Sequence, residues 1–236
     1  MLEALCAALS LPLQPVAVWR GDSLPDGVPV SRATGCIVPD LEAAAHGQPV
    51  AFQPDTPICF GGQRGLSLTA AMPDFMACFL STGTGSRPGM AYKRDIGLAM
   101  AYLDQLPALP PAACVVLWPL DQLPQDVTPS TILFLADPQR LSALVTLANF
   151  DRTDGRGVEL RFGAGCAQAI LYSLGHAAAG EDVCTIGLTD PSARIHLKDG
   201  SLLSFSVPYR RCLALENAVK DSFLTKGVWR AIRKKL

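Results

Sequence analysis

Apolar positions along this chain follow two rhythms, and the rhythms predict its elements. Leu2, Leu5, Cys6 and Leu9 fall at helical spacing and predict a helix over 2–9, ended by Pro12. The Val-rich stretch Pro15 to Trp19 predicts a strand, and Gly21 to Pro29 is a loop of turn formers. A short helix is expected after Cys36, with Pro39 in its first turn, where a missing N–H costs little, and Gly47 as its stop. Pro49 to Phe52 reads as the next strand. Pro54 to Leu68 is a Gly- and Pro-rich loop, 73–80 and 92–105 read as helices, and Ser81 to Gly89 reads as a mobile loop between them. Leu106 to Ala113, with three prolines, reads as a stiff linker.

The second half opens with buried-strand patterns at Cys114 to Leu120 and Thr131 to Ala136. Asp137-Pro138 is a strong helix start, an N-cap followed by proline at the first helical position. Arg156 to Phe162 alternates like a half-buried strand, a helix runs from about Gly165 to Leu174, and Asp182 to Gly187 reads as a strand. Asp199-Gly200 predicts the turn of a hairpin within Ala193 to Pro208, and Tyr209 to Leu236 is helical. Strands alternating with helices, plus an antiparallel hairpin, predict an α+β fold, a mixed sheet with covering helices; the alternative is α/β.

One stretch recurs. Gly35-Cys36, His46 and Arg64 are matched by Gly165-Cys166, His176 and Arg194 at a constant offset of 130 residues. This predicts one compact domain, 1–236, built from similar halves at about 12–105 and 114–236 and related by a pseudo-two-fold.

Composition narrows the function classes. A hydrophobic fraction of 49% against 17% charged residues supplies a core and excludes disorder. A net charge of −1 gives no general electrostatic reason to expect nucleic acid or an anionic membrane as partner. No apolar run is long enough to span a bilayer. The apolar N-terminus carries Glu3 and no basic residue before Arg20, so a cytoplasmic location is expected rather than secretion. The eight cysteines are expected to be thiols in a reducing compartment, with Cys6, Cys78, Cys114 and Cys212 packing as small hydrophobes.

Cys36 and Cys166 are expected at helix starts, where unpaired N–H groups and the helix dipole lower a thiol pKa. Cys59, followed by Gly61 and Gly62, lies where backbone amides open toward a sulfur or an anion. Cys36, Cys59 and Cys166 are therefore the candidate ligands of an iron–sulfur cluster or soft metal, with Cys184 the best offer for a fourth. Arg64 and Arg194 are candidates to clamp an adjacent anionic ligand; the alternative is a salt bridge within the chain. His46 and His176 lie ten residues after their cysteines, about 15 Å along a helix, and read as C-terminal caps. The basic cluster Lys226 to Lys235 reads as a solvated last turn; contact with an acidic partner or a membrane surface is the alternative.

These residues carry a resemblance. Cys36, Ala45-His46-Gly47 and Cys59-Phe60-Gly61-Gly62 resemble the front half of the bacterial and archaeal family called domain of unknown function 169. Gly165-Cys166 through Asp199-Gly200 to Val207-Pro208-Tyr209 resembles its C-terminal half, and Cys114 to Leu120 with the Asp137-Pro138 helix is similar to its middle. Family members often carry a Cys-Pro-Gly-Ala type sequence where this chain has Cys59-Phe60-Gly61-Gly62, and a Gly-rich stretch ending in Arg where it has Asp190 to Arg194. The resemblance implies no settled activity. A family common in anaerobes implies oxygen-sensitive thiol or iron–sulfur chemistry, with a homodimer or redox partner protein as company. The alternatives from the residues are a metal-free thiolate enzyme and a metal-free small-ligand-binding module whose cysteines only pack.

Overall fold

The computed structural model describes residues 1–236, the side chain of Arg87 excepted. Helix α1 (Glu3–Leu9) leads to β1 (Val16–Gly21), α2 (Val38–Ala45) and β2 (Val50–Phe52). Then come α3 (Phe60–Gly65), α4 (Phe75–Leu80), the small hairpin of β3 (Gly83–Thr84) and β4 (Arg87–Pro88), and α5 (Ile96–Leu103). The second half contributes β5 (Cys114–Pro119), β6 (Thr131–Ala136), α6 (Pro138–Ala148) and β7 (Val158–Leu160). A π-helical turn (Ala167–Leu171) runs into α7 (Tyr172–Ala179), followed by β8 (Cys184–Gly187), α8 (Pro191–Arg194) and β9 (Leu203–Pro208). Helices α9 (Tyr209–Ala218) and α10 (Gly227–Arg233) close the chain.

Seven strands form one sheet in the order β2-β5-β1-β6-β9-β8-β7. All its ladders are antiparallel except that of β7 with β8, so the sheet is mixed and the fold is α+β. The unbroken apolar runs of β5 and β6 follow from burial on both faces. Val115, Leu117, Leu133 and Leu135 enter one core with α2, α7 and the π-helical turn. Val116, Trp118, Ile132 and Phe134 enter the other, under α1, α6, α9 and α10.

The two Gly-Cys stretches share an order of elements. Each runs strand, Gly-Cys, helix, strand, short Arg-bearing helix: β1-α2-β2-α3 and β7-α7-β8-α8. Their strand neighbours differ. β5 lies between β1 and β2, whereas β7 and β8 pair directly.

Four expectations change. Pro54 to Leu68, read as a loop, carries the short helix α3 at Phe60–Gly65. The hairpin expected within Ala193 to Pro208 does not form: Asp190 caps a helical turn at Pro191–Arg194, and β9 pairs with β6 and β8 instead. Leu106 to Ala113 is no free linker, because Leu106, Leu109 and Ala112 are buried in the first core and the Ala112 N–H donates to the Ser67 carbonyl at 2.9 Å. Within Ser81 to Gly89, expected to be a mobile loop, β3 pairs with β4.

Asp137 illustrates local sequence fixing local structure. Its carboxylate accepts the Arg140 N–H at 2.9 Å as the N-cap of α6 and pairs with the Arg140 guanidinium, which also donates to the carbonyls of Leu9 and Ser10. The cap thus ties α6 to the end of α1. Asp137→Ala is expected to lower stability by about 1–2 kcal/mol, and Asp137→Asn, which keeps an acceptor, by less. Urea unfolding of the two variants checks this.

Candidate functional site

The first Gly-Cys turn ends just before α2, and the Cys59 N–H donates to the Gly35 carbonyl at 2.9 Å, which pins that turn to the start of α3. Cys59 is the N-cap of α3, and its Sγ accepts the Gly62 N–H at 3.3 Å. The second Gly-Cys turn is held by α8. Asp190 accepts the Gly165 N–H at 3.0 Å, and the Ser192 N–H and hydroxyl at 3.0 and 2.8 Å. Gly165 is required there, since a Cβ would stand 2.3 Å from that of Ala193.

The two turns meet through α3. The Cys166 thiol donates to the Gly61 carbonyl at 2.8 Å. A Cβ on Gly61 would lie 3.5 Å from Cys166 Sγ and 3.8 Å from Cys59 Sγ, so both sulfurs are within contact of one point. On Gly65 a Cβ would lie 2.7 Å from that of Cys166. The glycines of α3 are what let it seat on the π-helical turn. Such turns interrupt α-helices frequently at functional sites.

Cys36, Cys59 and Cys166 all line one cavity of about 330 Å³, and none of the three is in a disulfide. Gly61 lines it too; Gly62 is buried behind it. The walls are Phe60, Phe75, Phe79, Tyr92, Phe162 and Met76. Phe60 and Phe75 meet edge-to-face at 5.4 Å, as do Phe162 and Tyr102 at 4.9 Å. Tyr172 donates to the Phe162 carbonyl at 2.7 Å, fixing the segment that leads into Cys166. Polar groups are few: Asp190 and Ser192, spent on each other and on the backbone, and the exposed His196.

The electrostatics correct the expectation of lowered thiol pKa values. Burial pushes the Cys166 thiol up, and the neighbouring Cys59 and Cys36 push it further, because each thiolate repels the next. Burial also pushes Cys36 up, against the opposing Val38 N–H. At both sulfurs desolvation outweighs the helix-start effect.

The other candidates lie elsewhere. Cys184 is fully buried in the second core, across the sheet from Cys166, with its thiol pushed up to about 12 by burial; it is no fourth ligand. Cys114 and Cys212 are also fully buried in that core, and Cys6 packs against it. Arg64 and Arg194 do not line the cavity and form no clamp. Buried Arg64 donates to the Pro107 carbonyl at 2.6 Å, while Arg194 donates to the carbonyls of Leu188 at 2.9 Å, Leu202 and Gly200. Neither forms a salt bridge among the described residues. His46 is the C-cap of α2, whereas His176 is buried in the last turn of α7 between Glu159 at 2.8 Å and Glu181 at 2.6 Å. Among the described residues, no group of three or more His, Cys, Asp or Glu stands ready at metal-holding separations. The aromatic wall and His196 carry no local signal in the sequence, because the lining comes from distant segments; Asp190, followed by Pro191, reads as a cap rather than an acid and is the N-cap of α8.

Fold and site together define an α+β protein whose mixed sheet carries, over one face, an apolar cavity lined by three thiols. The family DUF169, described as Uncharacterised ArCR, matches residues 4–218, and the chain belongs to that family. No curated protein and no solved structure matches it.

Two outcomes follow from these environments. Exposed Cys59 is expected to be alkylated by iodoacetamide well before Cys36 and Cys166 at pH 7, read by mass spectrometry of timed digests; faster labelling of Cys166 would contradict its burial. The hydrogen bond to Glu159 raises the His176 pKa; burial opposes this, and Glu181 adds to the rise. His176 therefore contributes stability in full below its unfolded pKa, about 6.5, and that contribution is lost as pH rises through the folded value. His176→Gln is expected to remove this slope, measured as unfolding free energy against pH.

Proposed function

We propose that the chain binds a soft metal or an iron–sulfur cluster through Cys36, Cys59 and Cys166 at the base of the apolar cavity. The observation that carries this is the convergence of three cysteines from three separated segments on one cavity. Burial and then mutual repulsion raise the Cys36 and Cys166 thiols, so a metal has to displace their protons on binding and uptake is expected to strengthen as pH rises. Soft sulfur ligands select zinc, cuprous copper or iron–sulfur clusters over hard cations. Binding requires Cys166 to turn from the Gly61 carbonyl, a change of side-chain rotamer. Three sulfurs would hold the metal and leave it able to take a further ligand, and the apolar lining suits a small uncharged molecule.

A metal-free thiolate enzyme is the weaker reading. A buried thiol needs a base to act as nucleophile; Asp190 already accepts from Gly165 and Ser192, and His196, the imidazole in the lining, is exposed and makes no side-chain hydrogen bond to the three thiols among the described residues. A metal-free module for small apolar molecules is favoured by one specific observation, the ring-lined wall.

Purification without oxygen, then iron, sulfide, zinc and copper analysis before and after reconstitution, separates these readings. Bound metal or cluster is expected in the native chain, and at least tenfold less in Cys59→Ser, whose exposed side chain can be replaced with little cost to folding. Cys212→Ser, in the other core, is expected to retain its metal if it folds. A native chain that takes up none of these after reconstitution, or equal loading in Cys59→Ser, overturns the proposal.

A further inference from the structure

The second face of the molecule carries a feature the thiol cavity does not use. Lys226, Arg230, Arg233, Lys234 and Lys235 lie within ten residues, and no carboxylate side chain follows Asp221. All five are exposed, and none is in an ion pair among the described residues. The rest of the chain has the opposite balance, the other 15 of 20 basic residues against 21 acidic ones. The net charge of −1 therefore hides a segregated basic patch.

The patch has an apolar component. Trp229 is buried in the second core and donates through its indole N–H to the Ala8 carbonyl at 2.7 Å, which fastens α10 to α1. With that anchor set, Val228 and Ile232 fall at i and i+4 of α10 and stand 74% and 36% exposed, and Leu236, past its end, is 43% exposed. Water gains nothing from an exposed apolar stripe set among five unpaired cations. An anionic bilayer surface satisfies both components, the cations at the headgroups and the stripe at the acyl boundary. α10 lies beyond the family match of 4–218, so the feature is not part of what family membership supplies.

We propose that α10 docks the chain on an anionic lipid surface, with Lys226, Arg230, Arg233, Lys234 and Lys235 facing phosphate groups and Val228 and Ile232 entering the interface. Among the described residues no helix is long and apolar enough to cross a membrane, so the contact is peripheral. The cavity lies over the opposite face of the sheet from α10 and stays open to water when the chain is docked.

The test is co-sedimentation of the full chain with vesicles of phosphatidylcholine alone, or of phosphatidylcholine and phosphatidylglycerol in equal parts. Binding is expected only to the anionic vesicles, and to be lost near 1 M salt, where the screening length falls to about 3 Å. Each of Arg230→Gln, Arg233→Gln, Lys234→Gln and Lys235→Gln is expected to lower partitioning about fivefold. Val228→Ser with Ile232→Ser is expected to lower it about tenfold while leaving Trp229 and the fold in place. Equal sedimentation with both vesicle types, or no effect of the serine pair, overturns the proposal. So does tighter binding to polyuridylic acid or polyglutamate than to the anionic vesicles, which assigns the patch to a polyanion instead.

Discussion

Everything at the cavity depends on how closely α3 approaches the turn that carries Cys166. The short helix Phe60–Gly65 has glycine at three of its six positions, and two of them bear on that thiol. Gly61 gives the carbonyl that Cys166 donates to, and Gly65 leaves room for the Cys166 Cβ and backbone. A side chain at Gly65 meets backbone, which cannot swing aside as a flexible side chain can. The close seat brings the Cys59 end of α3 over Cys166, and the Cys59–Gly35 hydrogen bond brings Cys36 along with it. Three distant segments are thereby held as one site.

The sheet then sorts the cysteines by face. Cys166 lies above one face with Cys36 packed nearby, whereas Cys114, Cys184 and Cys212 fill the core under the other. Side-chain alternation along β5 and β8 turns Cys114 and Cys184 into that core, whereas Cys36, Cys59 and Cys166 reach the cavity from a turn and two helix starts. The same sorting puts the basic, partly apolar surface of α10 on the side away from the cavity. The three-thiol cavity and the exposed basic residues of α10 thus lie on opposite sides of the sheet.

Much of this fold was legible in the chain. The apolar runs of β5 and β6, the Asp137-Pro138 start of α6, and Gly47 with its positive φ behind α2 are local signals, and local structure obeyed them. The thiols that share a cavity were legible as candidates, because glycine beside cysteine marks a place of close approach. The Asp199-Gly200 hairpin misled because Asp190-Pro191 offered the preceding residues a capped helical turn, while β6 and β8 offered β9 better partners than a hairpin strand.

By itself the sequence determined the central strands β1, β5 and β6 with the two-sided burial of β5 and β6, the start of α6, and the glycine-bearing segments that carry Cys36, Cys59 and Cys166. Only the tertiary structure decided which face each cysteine reached, that Arg64 and Arg194 turned to carbonyls rather than to a ligand, and that five aromatic rings from separate segments closed over the thiols. It also reversed the sign of the thiol shifts. A helix start lowers a thiol pKa and burial raises it, and how deeply each sulfur is buried is set by residues distant in sequence.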